Sequence, residues 1–163
     1  MPMLDAFIPE GALTPEAEQS LLRELTDILL RNEGADPADP MARSIAWVFL
    51  HRPAAVLVAG DRAREPRYRI TASVPEGQFD EERRRSMVKE VTAAVLAAER
   101  GAYQPDPMRV WVFASEVPDG TWGGAGRINT LADIAGYVLG DPDRGREYAR
   151  ARLAARSGAP ASH

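Results

Sequence analysis

Apolar residues recur at three- and four-residue spacing along two stretches of this chain, and four shorter runs between and beside them are rich in β-branched and aromatic side chains. In the first helical stretch Leu21, Leu22, Leu25, Ile28 and Leu29 mark one face; Thr14 reads as its N-cap, Pro15 as its first helical residue and Gly34 as its stop. In the second, Asp80 is the cap, Glu81 and Glu82 occupy the positive first turn, and Met87, Val88, Val91, Val95 and Leu96 form the buried side before Gly101. Residues 2–8, 44–50, 67–74 and 109–114 read as strands. Asp36-Pro-Ala-Asp-Pro40 and Gln104-Pro-Asp-Pro107 are the loops that return each helix to a strand.

The two halves match one another. Ile8-Pro-Glu-Gly-Ala-Leu-Thr14 recurs 66 residues later as Val74-Pro-Glu-Gly-Gln-Phe-Asp80, and the same offset pairs Leu22 with Val88, Leu25 with Val91 and Leu29 with Val95. At an offset of 64, Trp47-Val-Phe49 matches Trp111-Val-Phe113. Two copies are too few for a solenoid, so the pattern predicts one α+β domain over residues 1–142, with repeat one at 2–60 and repeat two at 67–130. Two right-handed βαβ units give a four-stranded mixed sheet with both helices on one face. No further helix before residue 131 covers the other face, which predicts oligomerisation. The basic stretch that begins at Asp143 reads as a helical tail, 143–163, solvated or packed on a neighbouring subunit, with its end from residue 157 disordered.

Composition then removes several chemistries. The chain has no cysteine, and histidine only at His51 and His163, which argues against thiol catalysis, a zinc cluster or a Ser-His-Asp triad; no metal or cofactor is expected. A net charge of −4 argues against nucleic acid as a partner. No apolar run is long enough for a signal peptide or a membrane span, so the expected location is cytoplasmic, away from the membrane.

Pro2 is a candidate for proton transfer. Removal of Met1 would leave a secondary amine at the head of the first strand; such an amine titrates near pH ~8 in water and lower when desolvated, where its neutral form is a base.

Pro2 heading a strand, the Ile8-Pro-Glu-Gly11 turn, the duplicated βαβ unit and the stretch Val110-Trp-Val-Phe-Ala-Ser-Glu-Val-Pro-Asp-Gly-Thr-Trp-Gly-Gly-Ala-Gly126 together resemble the tautomerase superfamily, which includes 4-oxalocrotonate tautomerase, malonate semialdehyde decarboxylase and macrophage migration inhibitory factor. His51-Arg-Pro53 resembles the decarboxylase branch. The resemblance implies a homotrimer packed with its sheets inward, and Pro2 as general base on a small carboxylate-bearing carbonyl substrate, a 2-oxo or enol acid. It also implies a hairpin whose aromatic position is Trp122.

The chain departs from that pattern at its arginines. Trp111, Ala12 and Gln78 stand where the family has them, which leaves Arg43 and Arg127 to hold the carboxylate, with Trp122 and Trp111 walling the pocket. His51 reads as structural, Arg52 as solvated and Arg109 as a strand-edge residue. The expected activity is keto-enol tautomerisation, with decarboxylation or hydration through the same amine as the near alternative and a non-catalytic trimeric binding module as the distant one.

Overall fold

The computed structural model describes residues 2–157; Met1 and the end from residue 158, where disorder is expected, lie outside it. Strand β1 (Met3–Phe7) leads to helix α1 (Pro15–Glu33), a short helix α2 (Pro40–Ser44) and strand β2 (Trp47–His51). A small hairpin, β3 (Leu57–Val58) and β4 (Asp61–Arg62), connects to the second unit of β5 (Tyr68–Pro75), α3 (Glu81–Ala98) and β6 (Val110–Val117). The second hairpin, β7 (Trp122–Gly124) with β8 (Arg127–Asn129), precedes helices α4 (Leu131–Leu139) and α5 (Pro142–Ser157).

The sheet has the order β2-β1-β5-β6. Each βαβ unit pairs its own two strands in parallel, and β1 and β5 join the units antiparallel, with Leu4 opposite Ala72 and Ala6 opposite Ile70. The expected four-stranded mixed sheet with α1 and α3 on one face is therefore present. Leu4, Ala6 and Ile8 alternate inward from β1, and Ile70, Ala72 and Val74 from β5, against Leu21, Leu25, Ile28 and Leu29 of α1 and Met87, Val91 and Val95 of α3. Val88, expected on the buried side, is exposed because the buried stripe follows Met87, Val91, Ala94 and Val95 and leaves Val88 on its margin.

Both long helices begin where the sequence places them, with Thr14 accepting from the Ala17 amide and Asp80 from the Arg83 amide. The second strand starts three residues later than expected because Pro40, capped by the Asp39 side chain, opens α2 in the ground assigned to loop and strand. The open face of the sheet carries Trp47, Phe49, Trp111 and Phe113, all exposed. Beside them Arg69 lies 3.8 Å over the Phe7 ring, Phe7 stacks on His51 at 4.3 Å, and His51 meets Asp5 at 2.6 Å, a structural role for that histidine.

The basic tail packs within its own chain, on α4, where the sequence reads a solvated or subunit-packing helix. Close approach explains this. A Cβ added at Gly145 of α5 would lie 2.5 Å from Gly136 Cα and 2.6 Å from the Ala132 carbonyl oxygen, so the helices touch through backbone. Alanine in place of a helical glycine ordinarily adds about 1 kcal/mol of helix propensity. Here the collision dominates, and Gly145→Ala is expected to lose roughly 1–3 kcal/mol net, as overpacked positions do, read as a lower melting temperature. A variant at least as stable as the parent would refute the contact.

Candidate active site at Pro2

Because β1 and β5 are antiparallel, the start of β1 meets the end of β5. Pro2 is buried there, with its carbonyl accepting from the Trp47 amide at 3.2 Å, and shares a cavity of about 260 Å³ with Pro75 and Gln78 of the turn after β5. The C-terminal end of α1 forms one wall with Glu33 and Gly34. Ile45 lies below, and Ile134, Val138, Leu139 and Tyr148 of the α4–α5 hairpin close the opposite side.

Glu33 is the chemically distinctive group in this wall. It is 8 % exposed, and burial pushes its carboxyl up from 4.5 to about 7, with the positive amino terminus pulling the other way. Its place at the C-terminal end of a helix, the negative pole, acts in the same sense as burial. Gly34, at φ 92°, ends the helix immediately after it, and the Gly34 amide takes up the Leu30 and Arg31 carbonyls.

The repeat supplies a comparison within the same molecule. The offset of 66 that aligns the helices pairs Pro2 with Tyr68 and Glu33 with Glu99; the offset of 64 that aligns the second strands pairs Ile45 with Arg109. In repeat two these positions form a closed knot: Arg109 donates to Glu99 at 2.6 Å and the Tyr68 hydroxyl donates to Glu99 at 2.9 Å, all three side chains buried. The reading of Arg109 as a strand-edge residue is thus corrected: its guanidinium points inward to the one buried carboxylate within reach. In repeat one the tyrosine is Pro2 and the arginine is Ile45, so Glu33 has neither partner and faces a cavity.

Gln78 is the neutral donor on the wall. Its side-chain oxygen accepts from the Tyr148 hydroxyl at 2.8 Å, and its main-chain carbonyl accepts from Arg152 at 2.7 Å and Arg83 at 3.1 Å. The side-chain NH₂ donates to no described residue.

No family model and no curated protein matches this chain. Solved structures do. Pt0534, described as inactivated by 2-oxo-3-pentynoate, superposes with a TM-score of 0.63 at 22% identity over 78% of this chain and 94% of its own. Native fused 4-OT gives 0.63 at 17%, over 77% and 94%, and the macrophage migration inhibitory factor of Toxoplasma gondii gives 0.60 at 15%, over 78% and 99%. The chain has the tautomerase-superfamily fold.

Within the tautomerase fold, the other residues singled out from the sequence lie away from Pro2 in their own chain. Arg43, on α2, donates to Asp27 at 2.5 Å and to the Pro37 carbonyl at 2.8 Å. Arg127 is exposed on β8, and Trp122 is half-buried across from Asn129 on β7. Trp111 borders a separate 740 Å³ cleft on the open face, beside Arg69. Arg52, read as solvated, grips Glu18 with two contacts of 2.6 Å. Glu33 was the residue that composition and spacing passed over; the signal for it was the repeat, which matches it to Glu99, and an acidic residue standing against the helix dipole just before a glycine stop.

The raised carboxyl has a consequence for stability. Between about pH 4.5 and 7 the folded chain keeps a proton on Glu33 that the unfolded chain has lost, so stability falls as pH rises through that window, by on the order of 3 kcal/mol in all. Glu33→Gln removes this contribution. Urea unfolding of parent and variant at about pH 5 and pH 8 should show the variant gaining on the parent at the higher pH. An equal pH response in the two would place Glu33 in solvent.

Proposed function

We propose that this protein is a keto-enol tautomerase in which cleavage after Met1 frees the Pro2 amine as general base and Glu33 serves as the paired acid. The observation that carries this is the shared cavity: Pro2, whose nitrogen becomes an amine once Met1 is removed, and the Glu33 carboxyl both line it and are buried, with no guanidinium among the lining residues. Burial disfavours the charged form of each, so the resting pair is neutral amine and neutral acid, the arrangement that can take a proton from carbon and give one to oxygen.

The step balances within the pair. The Pro2 nitrogen takes the hydrogen from the carbon next to a carbonyl, the electron pair of that C–H bond forms the enol double bond, and the carbonyl oxygen receives the Glu33 proton. Ketonisation is the reverse. The substrate is a small enolisable carbonyl compound, since the cavity lies below the ~300–1,000 Å³ common for ligand sites.

The same reading takes the exposed aromatic face as the contact between three copies. Four exposed aromatics on a flat sheet are the apolar patch expected of an interface, and one solved neighbour is a fused 4-OT described as a symmetric trimer. Sedimentation equilibrium at micromolar concentration should give three times the chain mass, and Phe113→Asp should shift it toward the monomer; a monomeric parent would end this architecture.

For the chemistry, the chain beginning at Pro2 should ketonise the enol of phenylpyruvate or of its methyl ester. Pro2→Ala, which leaves a primary amine in a less constrained place, should slow this about 10²-fold, and retention of Met1, which makes the nitrogen an amide, should abolish it. The kcat/KM profile should be bell-shaped, rising as the amine loses its proton and falling near pH 7 as Glu33 ionises; the two limbs belong to the pair. Glu33→Gln should lose the falling limb. Full activity in Pro2→Ala would remove the amine from the mechanism.

A further inference from the structure

We infer that the Pro2 cavity selects uncharged carbonyl compounds bearing an apolar substituent over the corresponding carboxylates, with the Gln78 amide receiving the carbonyl oxygen and the α4–α5 hairpin receiving the substituent. The inference rests on the proposed tautomerase reading for its chemistry, but its core is the charge and shape of the cavity.

Three observations carry it. The ionisable side chains that line the cavity are Glu33, Asp36, Asp39 and Tyr148; no lysine or arginine joins them. Asp36 and Asp39 are held in place, accepting from the Ala38 and Met41 amides, each at 2.8 Å. A carboxylate brought into this space would meet the acidic Asp36 and Asp39 and no lining side-chain cation, and a like-charge approach is unfavourable.

The nearest guanidiniums bind the main chain of the wall and are not among the lining residues, and Arg152 Nε is buried with no hydrogen-bond partner among the described residues. Arg83 and Arg152 both donate to the Gln78 main-chain carbonyl, and Arg83 also donates to the Glu33 carbonyl at 3.3 Å. They hold the wall from outside. The Tyr148 hydroxyl, by fixing the Gln78 side-chain oxygen, leaves the amide NH₂ as the group free to donate, and a neutral donor matches a neutral carbonyl oxygen.

The remaining wall is apolar and comes from the hairpin, through Ile134, Val138 and Leu139. This surface exists because Gly145 lets α5 lie directly on α4. An aryl or alkyl group placed there is removed from water without desolvating a charge.

The test separates binding from catalysis by using ligands that cannot enolise. Methyl benzoylformate and benzoylformate differ only in the ester, and calorimetric titration of the chain beginning at Pro2 should show the ester binding at least tenfold more tightly. Equal or tighter binding of benzoylformate would overturn the inference, as would failure of both to bind at millimolar concentration. Leu139→Arg, at a partly exposed lining position, should narrow or invert the preference; an unchanged ratio would place the ligand outside this cavity. The preference should persist in Pro2→Ala. If that variant keeps the preference but also keeps full enol turnover, the catalytic reading fails while the selectivity stands.

Discussion

The antiparallel pairing of β1 with β5 is the constraint from which the rest of this architecture follows. Each βαβ unit closes its own parallel pair, but only the central ladder joins the units, and its direction decides which chain ends meet. With Leu4 set against Ala72, the head of β1 arrives beside the turn that leaves β5, and the head of β5 arrives beside the turn that leaves β1. A one-residue slip would turn Leu4, Ala6 and Ile8 out of the core and move Pro2 off the Gln78 turn. Two equivalent ends therefore arise from one ladder, and the chain treats them differently.

At the β5 end the tyrosine–glutamate–arginine knot is buried, although Arg109 Nε has no hydrogen-bond partner among the described residues. Removing Arg109 or Glu99 would leave the other as an unpaired buried charge, a loss of about 3–5 kcal/mol in comparable sites. At the β1 end the same glutamate position survives while its two partners are replaced by Pro2 and Ile45, and the volume they vacate is the cavity. Such a hole, with a buried acid on its wall, costs stability. It persists because the α4–α5 hairpin covers it. The same glutamate position is thus paired in one half and faces a cavity in the other.

The sequence made the repeat, the two βαβ units and the helical faces legible, because periodicity and matched turns are local properties that survive packing. The position of Pro2 at the head of the first strand was legible for the same reason. What the sequence hid was set by distance in space. Whether Arg109 is an edge residue or a buried clamp depends on Glu99 lying across from it, and no window of neighbouring residues contains that fact. The tail reads as solvated because its charges dominate its composition, whereas its docking turns on one glycine meeting another across two helices. Val88 shows the limit of a period-based face, since a residue at the margin of the stripe satisfies the spacing and still faces water.

Electrostatics ties the activation of the base to the choice of ligand. An amine can be kept neutral by a nearby cation, which repels its proton, and a site built that way also welcomes a carboxylate. This cavity offers no such cation among its lining residues, so neutrality of the amine has to come from removal of water. Desolvation also raises the Glu33 carboxyl to about 7, so that it holds its proton below that pH. In the proposed mechanism a carboxylate entering the cavity would compete with the amine for that proton and add to the negative charge of Asp36 and Asp39, which favours the protonated amine. A neutral carbonyl oxygen does neither, because it accepts from the Gln78 amide or the Glu33 acid without altering the protonation of the pair. In the proposed reading, the burial that favours a neutral Pro2 amine and the acidic lining that disfavours anions belong to the same end of the sheet.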